Sequence, residues 1–107
     1  PEIDEPSMLE EVVRELQSIL DLPLQLDTSD PIAMERAMRV YNGKPLINSV
    51  NGKEESMKAV FPLVKKYGGV VVALCLDENG IPETAEGRLR IAKAICRRAE
   101  EYGIYSD

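Results

Sequence analysis

Apolar residues along this chain switch repeatedly between a helical period and short extended runs. From Ser7 to Leu20 they fall at Leu9, Val12, Val13, Leu16, Ile19 and Leu20, one stripe of an amphipathic helix. Ser7 followed three residues later by Glu10 reads as a capping box at its start. Pro23 closes the turn, and Leu24-Gln25-Leu26 reads as a short strand. Asp30-Pro31 then predicts a second helix, with Asp30 as N-cap and Pro31 in the first turn. Ala33, Met34, Ala37, Met38 and Tyr41 make its inner face, and Gly43 supplies a left-handed stop.

Pro45 leads into a second strand, Leu46 to Val50, and Asn51-Gly52 turns into a third helix from about Glu54 to Tyr67. Met57, Val60, Phe61 and Val64 face inward there, and Pro62 is expected to bend the helix. Gly68-Gly69 ends it. Val70 to Leu76 is apolar without alternation, the pattern of a parallel strand covered on both faces. Asp77-Glu78-Asn79-Gly80 is a turn, and Thr84 caps a last helix with Leu89, Ala92, Ile95, Cys96 and Ala99 toward the core, stopped at Gly103.

Strict alternation of helix and strand implies parallel pairing with right-handed crossovers. About three parallel strands and four helices are too few to close an eight-stranded barrel, which takes about 250 residues. The chain starts on a helix and stops where a strand is due, so the expectation is a fragment of a larger α/β barrel. A self-standing α/β interaction module is the alternative, although such a module is expected to guard its edge strands.

Composition narrows the partners. The net charge of −6 over 107 residues argues against nucleic acid and anionic membranes, which need clustered cations. The pairs Lys65–Lys66 and Arg97–Arg98 fall near helix ends, where a cation offsets the carbonyl dipole. No run of about twenty apolar residues is present. The acidic start, Pro1 to Glu5, carries no apolar secretion segment, and Cys75 and Cys96 read as small buried hydrophobes. Both points suit a reducing, cytoplasmic setting. The chain has no histidine, which excludes a Ser-His-Asp or Cys-His nucleophile and an imidazole zinc site within it. No P-loop, GxGxxG or CxxC motif occurs.

In parallel α/β folds ligands sit at the carboxyl ends of strands. Two strands in succession end here in polar side chains, Asp27 and Asn48. The commonest use of Asp in a loop is as a cap, but Asp30 fills that position. A free carboxylate at Asp27 suits two parallel N–H bonds from a guanidine-like ring edge. Asn48, inside an apolar strand, either joins an internal network with Ser49 or offers a donor and an acceptor to a heterocycle. Ser49, Asn51 and Asp77 are further candidates, Asn51 and Asp77 with a simpler reading as turn residues. No metal ligand set is expected.

The segments LPLQLDTSDP, KPLINSVNG, GGVVVALCLDENGIP and TAEGRL together resemble the pterin-binding domain of cobalamin-dependent methionine synthase. The methyltetrahydrofolate:corrinoid/iron–sulfur protein methyltransferases are similar, and dihydropteroate synthase is more distant. The resemblance covers essentially the whole chain, residues 1–107. It implies a TIM (β/α)8 barrel, of which this chain is the middle, from the second helix to the fifth. It also implies that Asp27 and Asn48 bind the pterin ring of methyltetrahydrofolate, the substrate. The methyl group then passes to a cobalamin-type corrinoid carried by another domain or subunit. The resemblance thus names as partners a corrinoid-binding domain or protein and the remainder of the barrel. An isolated chain is expected to be inactive and to self-associate through exposed sheet edges. A dihydropteroate synthase-like enzyme is a further alternative, disfavoured because no basic residue adjoins Asp27 or Asn48.

Overall fold

The computed structural model describes residues 3–106. Pro1 and Glu2 of the acidic start, and Asp107, lie outside the described residues. Seven elements alternate: α1 (Glu5–Ile19), β1 (Gln25–Asp27), α2 (Pro31–Val40), β2 (Leu46–Asn51), α3 (Glu54–Tyr67), β3 (Val70–Leu74) and α4 (Ala85–Glu101). The strands form one parallel sheet in the order β1-β2-β3.

Local chemistry accounts for most of the helix ends. Asp30 caps α2 through Ile32 N–H, and Thr84 caps α4 through Gly87 N–H. Lys65 and Lys66 occupy the last turn of α3, and Arg98 that of α4, where cations are favoured. The start of α1 differs from the expected capping box. Asp4 is the cap: its carboxylate accepts from Ser7 N–H and from the Ser7 hydroxyl, at 3.3 and 2.7 Å. Glu10 instead reaches Arg36 of α2 and Arg14 of its own helix. Two elements shift slightly, β1 running through Asp27 and β2 through Asn51. α2 stops at an extended Tyr41 before Gly43 is reached, and α3 continues through Pro62.

One core cluster draws on every helix: Val13 from α1, Met34 and Met38 from α2, Val60 and Phe61 from α3, Ile91 and Ile95 from α4. Leu26, Ile47 and Val50 bring the sheet into it. All four helices therefore cover the same face. Because strand side chains alternate, residues flanking Leu26 and Ile47 point to the other side. That side is bare: Gln25 is exposed, Leu46 and Val72 are half-buried, and Val70 is 65% exposed.

Burial corrects four expectations. The β3 run is covered on one face only, and ends at Leu74 rather than Leu76, with Leu74 itself exposed. In α4, Leu89 and Cys96 point outward, while Ile91, absent from the expected stripe, is buried. Cys75 is half-buried and Cys96 exposed; both are free thiols, so neither is the enclosed small hydrophobe expected. On α1 only Val13 is fully buried; Val12, Ile19 and Leu20 face outward. Among the described residues no helix is long and apolar enough to cross a membrane.

Candidate functional site

The carboxyl ends of β1 and β2 open into a cleft of about 360 Å³, at the lower end of the range for small-molecule sites. Asp27 and Asn48 both line it. They are direct register partners on adjacent parallel strands, Asp27 opposite Asn48. Strand neighbours lie about 4.8 Å apart with side chains on the same face, so a carboxylate and an amide stand side by side on the wall. Asp27 is exposed and Asn48 half-buried, leaving both open toward the cleft.

An irregularity in β2 adds a third polar side chain. Asn48 pairs with Val72 and Val50 with Ala73, so Ser49 is an extra residue, a β-bulge. Without it Val50 would fall on the open face; with it Val50 is 1% exposed in the core, and Asn48 and Ser49 both line the cleft. The Asn48–Ser49 peptide is cis.

The turn residues have local work. Asn51 Oδ1 accepts from Lys53 N–H at 2.9 Å, and Asn51 N–H donates to Ser56 Oγ at 3.0 Å. Asn51 lines the cleft but is committed to the β2–α3 turn. Asp77 lies outside the cleft: Asp77 and Gly80 exchange backbone bonds, and the Asp77 carboxylate accepts from Asn79 N–H at 2.9 Å. The structure thus brings together Asp27, Asn48, Ser49 and Asn51 and leaves Asp77 in its turn.

Sequence adjacency missed part of the wall. Lys53, Glu55 and Ser56, at the start of α3, and Thr28 also line the cleft. A basic residue therefore does stand near Asp27 and Asn48, which removes the reason given for disfavouring a dihydropteroate synthase-like enzyme. Lys53 was legible only as the residue before a helix; in the structure it sits in the β2–α3 turn, where its N–H donates to Asn51 Oδ1. Nearby, the Glu78 carboxyl is held below the usual range chiefly by accepting Glu54 N–H at 2.9 Å, with Lys53 adding to it. That bond ties the loop after β3 to the start of α3.

The cleft can bind a polar ring edge by paired hydrogen bonds. It holds neither histidine nor cysteine, and among the described residues no group of acidic, histidine or cysteine side chains could hold a metal ion.

Residues 2–106 match the family model described as pterin binding enzyme. The chain is 33% identical over 79 residues to the methionine synthase of Mycobacterium tuberculosis (strain ATCC 25618 / H37Rv), covering 69% of this chain and 7% of that protein. It is 31% identical over 85 residues to the methionine synthase of Mycobacterium leprae (strain TN), covering 75% and 7%. To the methylcorrinoid:tetrahydrofolate methyltransferase of Eubacterium limosum it is 27% identical over 91 residues, covering 83% and 34%. The chain thus spans from less than a tenth to about a third of the length of these relatives.

Proposed function

We propose, from the premise that this chain belongs to the pterin-binding enzyme family, that it forms one wall of the folate site of a corrinoid-dependent methyltransferase. The fold agrees with that membership: three parallel strands with helices on one face are a section of a TIM barrel, the bare face being its interior. The observation that carries the site assignment is the register pairing of Asp27 with Asn48 at the cleft wall.

The Asp27 carboxylate accepts paired N–H bonds from the amino-pyrimidine edge of the pterin, and charge-assisted bonds of this kind are the stronger class. Asn48 completes the set with one donor and one acceptor. A carboxylate beside the ring also favours an added proton on the pterin, which makes the ring nitrogen a better leaving group. Neither residue is a nucleophile. The corrinoid, held by another domain or subunit, supplies the cobalt chemistry. The relatives' names include both methionine synthase and a methylcorrinoid:tetrahydrofolate methyltransferase, so the methyl group travels toward folate in at least one name. A wall that only holds folate and favours its protonated form serves either direction.

The remainder of the barrel is the nearest partner. Beside β3 an apolar groove of about 370 Å³, lined by Val70, Ala73, Ile95 and Cys96 among others, suits the next strand. Deprived of that strand, the chain self-associates through its edges. The lysine in the cleft leaves a pterin-condensing enzyme as the second reading. A methyl-transfer assay on the protein at its full length, with methyltetrahydrofolate and a reduced corrinoid, separates the two. Transfer that falls at least about tenfold in Asn48→Ala supports the first reading; no transfer by the unaltered protein removes it.

A further inference from the structure

We infer that Thr28 and Glu5 are positioning residues for Asp27, so that the amino end of α1 is part of the ligand site's support. The inference rests on the pterin-site reading above. Thr28 follows Asp27 directly and is the one buried polar side chain among the described residues, 7% exposed. Its N–H and its hydroxyl both tie down the backbone that follows Asp27. Its N–H donates to Asn48 O at 3.2 Å, continuing the β1–β2 ladder one step past Asp27. Its Oγ1 accepts from Asp30 N–H at 3.1 Å, which shapes the turn into α2. The same hydroxyl donates to the Glu5 carboxylate on the first turn of α1.

Glu5 is a fixed post. Asp4 caps the helix at that point, and Arg36 of α2 grips it through Ser7 Oγ at 3.0 Å and Glu10 at 2.7 Å. The backbone on the ligand side of Asp27 is therefore held from β2, α1 and α2 at once. Asp27 itself is exposed at the strand tip, so its carboxylate direction depends on that backbone. A methyl group in place of the Thr28 hydroxyl keeps the shape and removes two of the three ties. The same change leaves the Glu5 carboxylate without the hydroxyl it accepts from.

The test is a calorimetric titration of the full-length protein with methyltetrahydrofolate. Thr28→Val and Glu5→Ala are each expected to bind about tenfold more weakly, as outer partners that orient a ligand-binding group do. Thr28→Ser, which restores the hydroxyl, is expected within about twofold of the unaltered protein, and the Thr28→Val/Glu5→Ala double variant no weaker than the worse single. Unchanged affinity in Thr28→Val, or losses that multiply in the double variant, overturns the inference. If Thr28→Val fails to fold, Glu5→Ala against Glu5→Gln decides: loss only in the alanine variant supports the tie, and equal affinities overturn it. Asp27→Ala is titrated alongside. Loss there with none in Thr28→Val sinks the positioning role alone, whereas no loss in Asp27→Ala sinks the pterin-site reading itself.

Discussion

Gly52 sits where two strand-end loops meet, and replacing it with alanine is a severe perturbation for so small a change. Gly52 N–H donates to Leu76 O at 2.7 Å, joining the β2–α3 loop to the end of the β3 run. A Cβ at Gly52 would stand 2.7 Å from that same oxygen and 2.8 Å from Ile91 Cγ2. Ordinary contact begins at 3.4 Å, so the loops must part by about 0.7 Å on one side while a core isoleucine yields on the other. Overpacking of this kind costs about 1–3 kcal/mol, and weakening the backbone bond adds about 1 kcal/mol. Gly52→Ala is thus expected to lose about 2–4 kcal/mol. In urea, with a slope of about 2 kcal/mol/M, the midpoint falls by about 1–2 M. Because Gly52 lies between Asn51 and Lys53 of the cleft wall, folate affinity should fall with it. A urea midpoint within about 0.3 M of the unaltered protein would refute the close-approach argument.

Acid should loosen the fold through carboxylates that are lowered in the folded state. Glu10 is lowered by Arg36 and then Arg14, Glu35 by the Tyr67 hydroxyl and then Lys66, and Glu78 by Glu54 N–H. A lowered folded value contributes stability that is fully present above the unfolded value, near 4.5, and is lost as pH falls through the folded one. Urea midpoints are therefore expected to decline below about pH 4.5, and Glu10→Gln to flatten the decline; an unchanged slope contradicts this. Asp30→Ala removes the α2 cap bond to Ile32 N–H at 2.9 Å, with an expected loss of about 1 kcal/mol in the same assay. A midpoint equal to that of the unaltered protein would show that Thr28 alone holds the turn.

The alternation of helix and strand, the Asp30 and Thr84 caps and the inner faces of α2 and α3 were legible because each rests on spacing or on one side chain. The Asp27–Asn48 pair was legible for the same reason: Asp27 ends an apolar strand and Asn48 is a polar residue set within the next. What the sequence concealed depends on tertiary partners. Asp4 displaced Ser7 as the α1 cap because Arg36 of α2 recruits both Ser7 and Glu10. The β3 run reads as doubly covered because its composition suits the closed interior of a barrel, a surface that nothing among the described residues covers. Cys96 faces outward beside β3 for the same reason, lining the groove rather than filling it. The bulge that carries Ser49 into the cleft and Val50 into the core was hidden, since no local pattern announces a bulge.

The most direct measurement is the calorimetric affinity of the full-length protein for methyltetrahydrofolate, with and without Asp27→Ala. A carboxylate that fixes the pterin edge predicts binding that weakens by at least about tenfold in the variant while the protein stays folded. Equal affinity in the two proteins would contradict the placement of the pterin against β1 and β2.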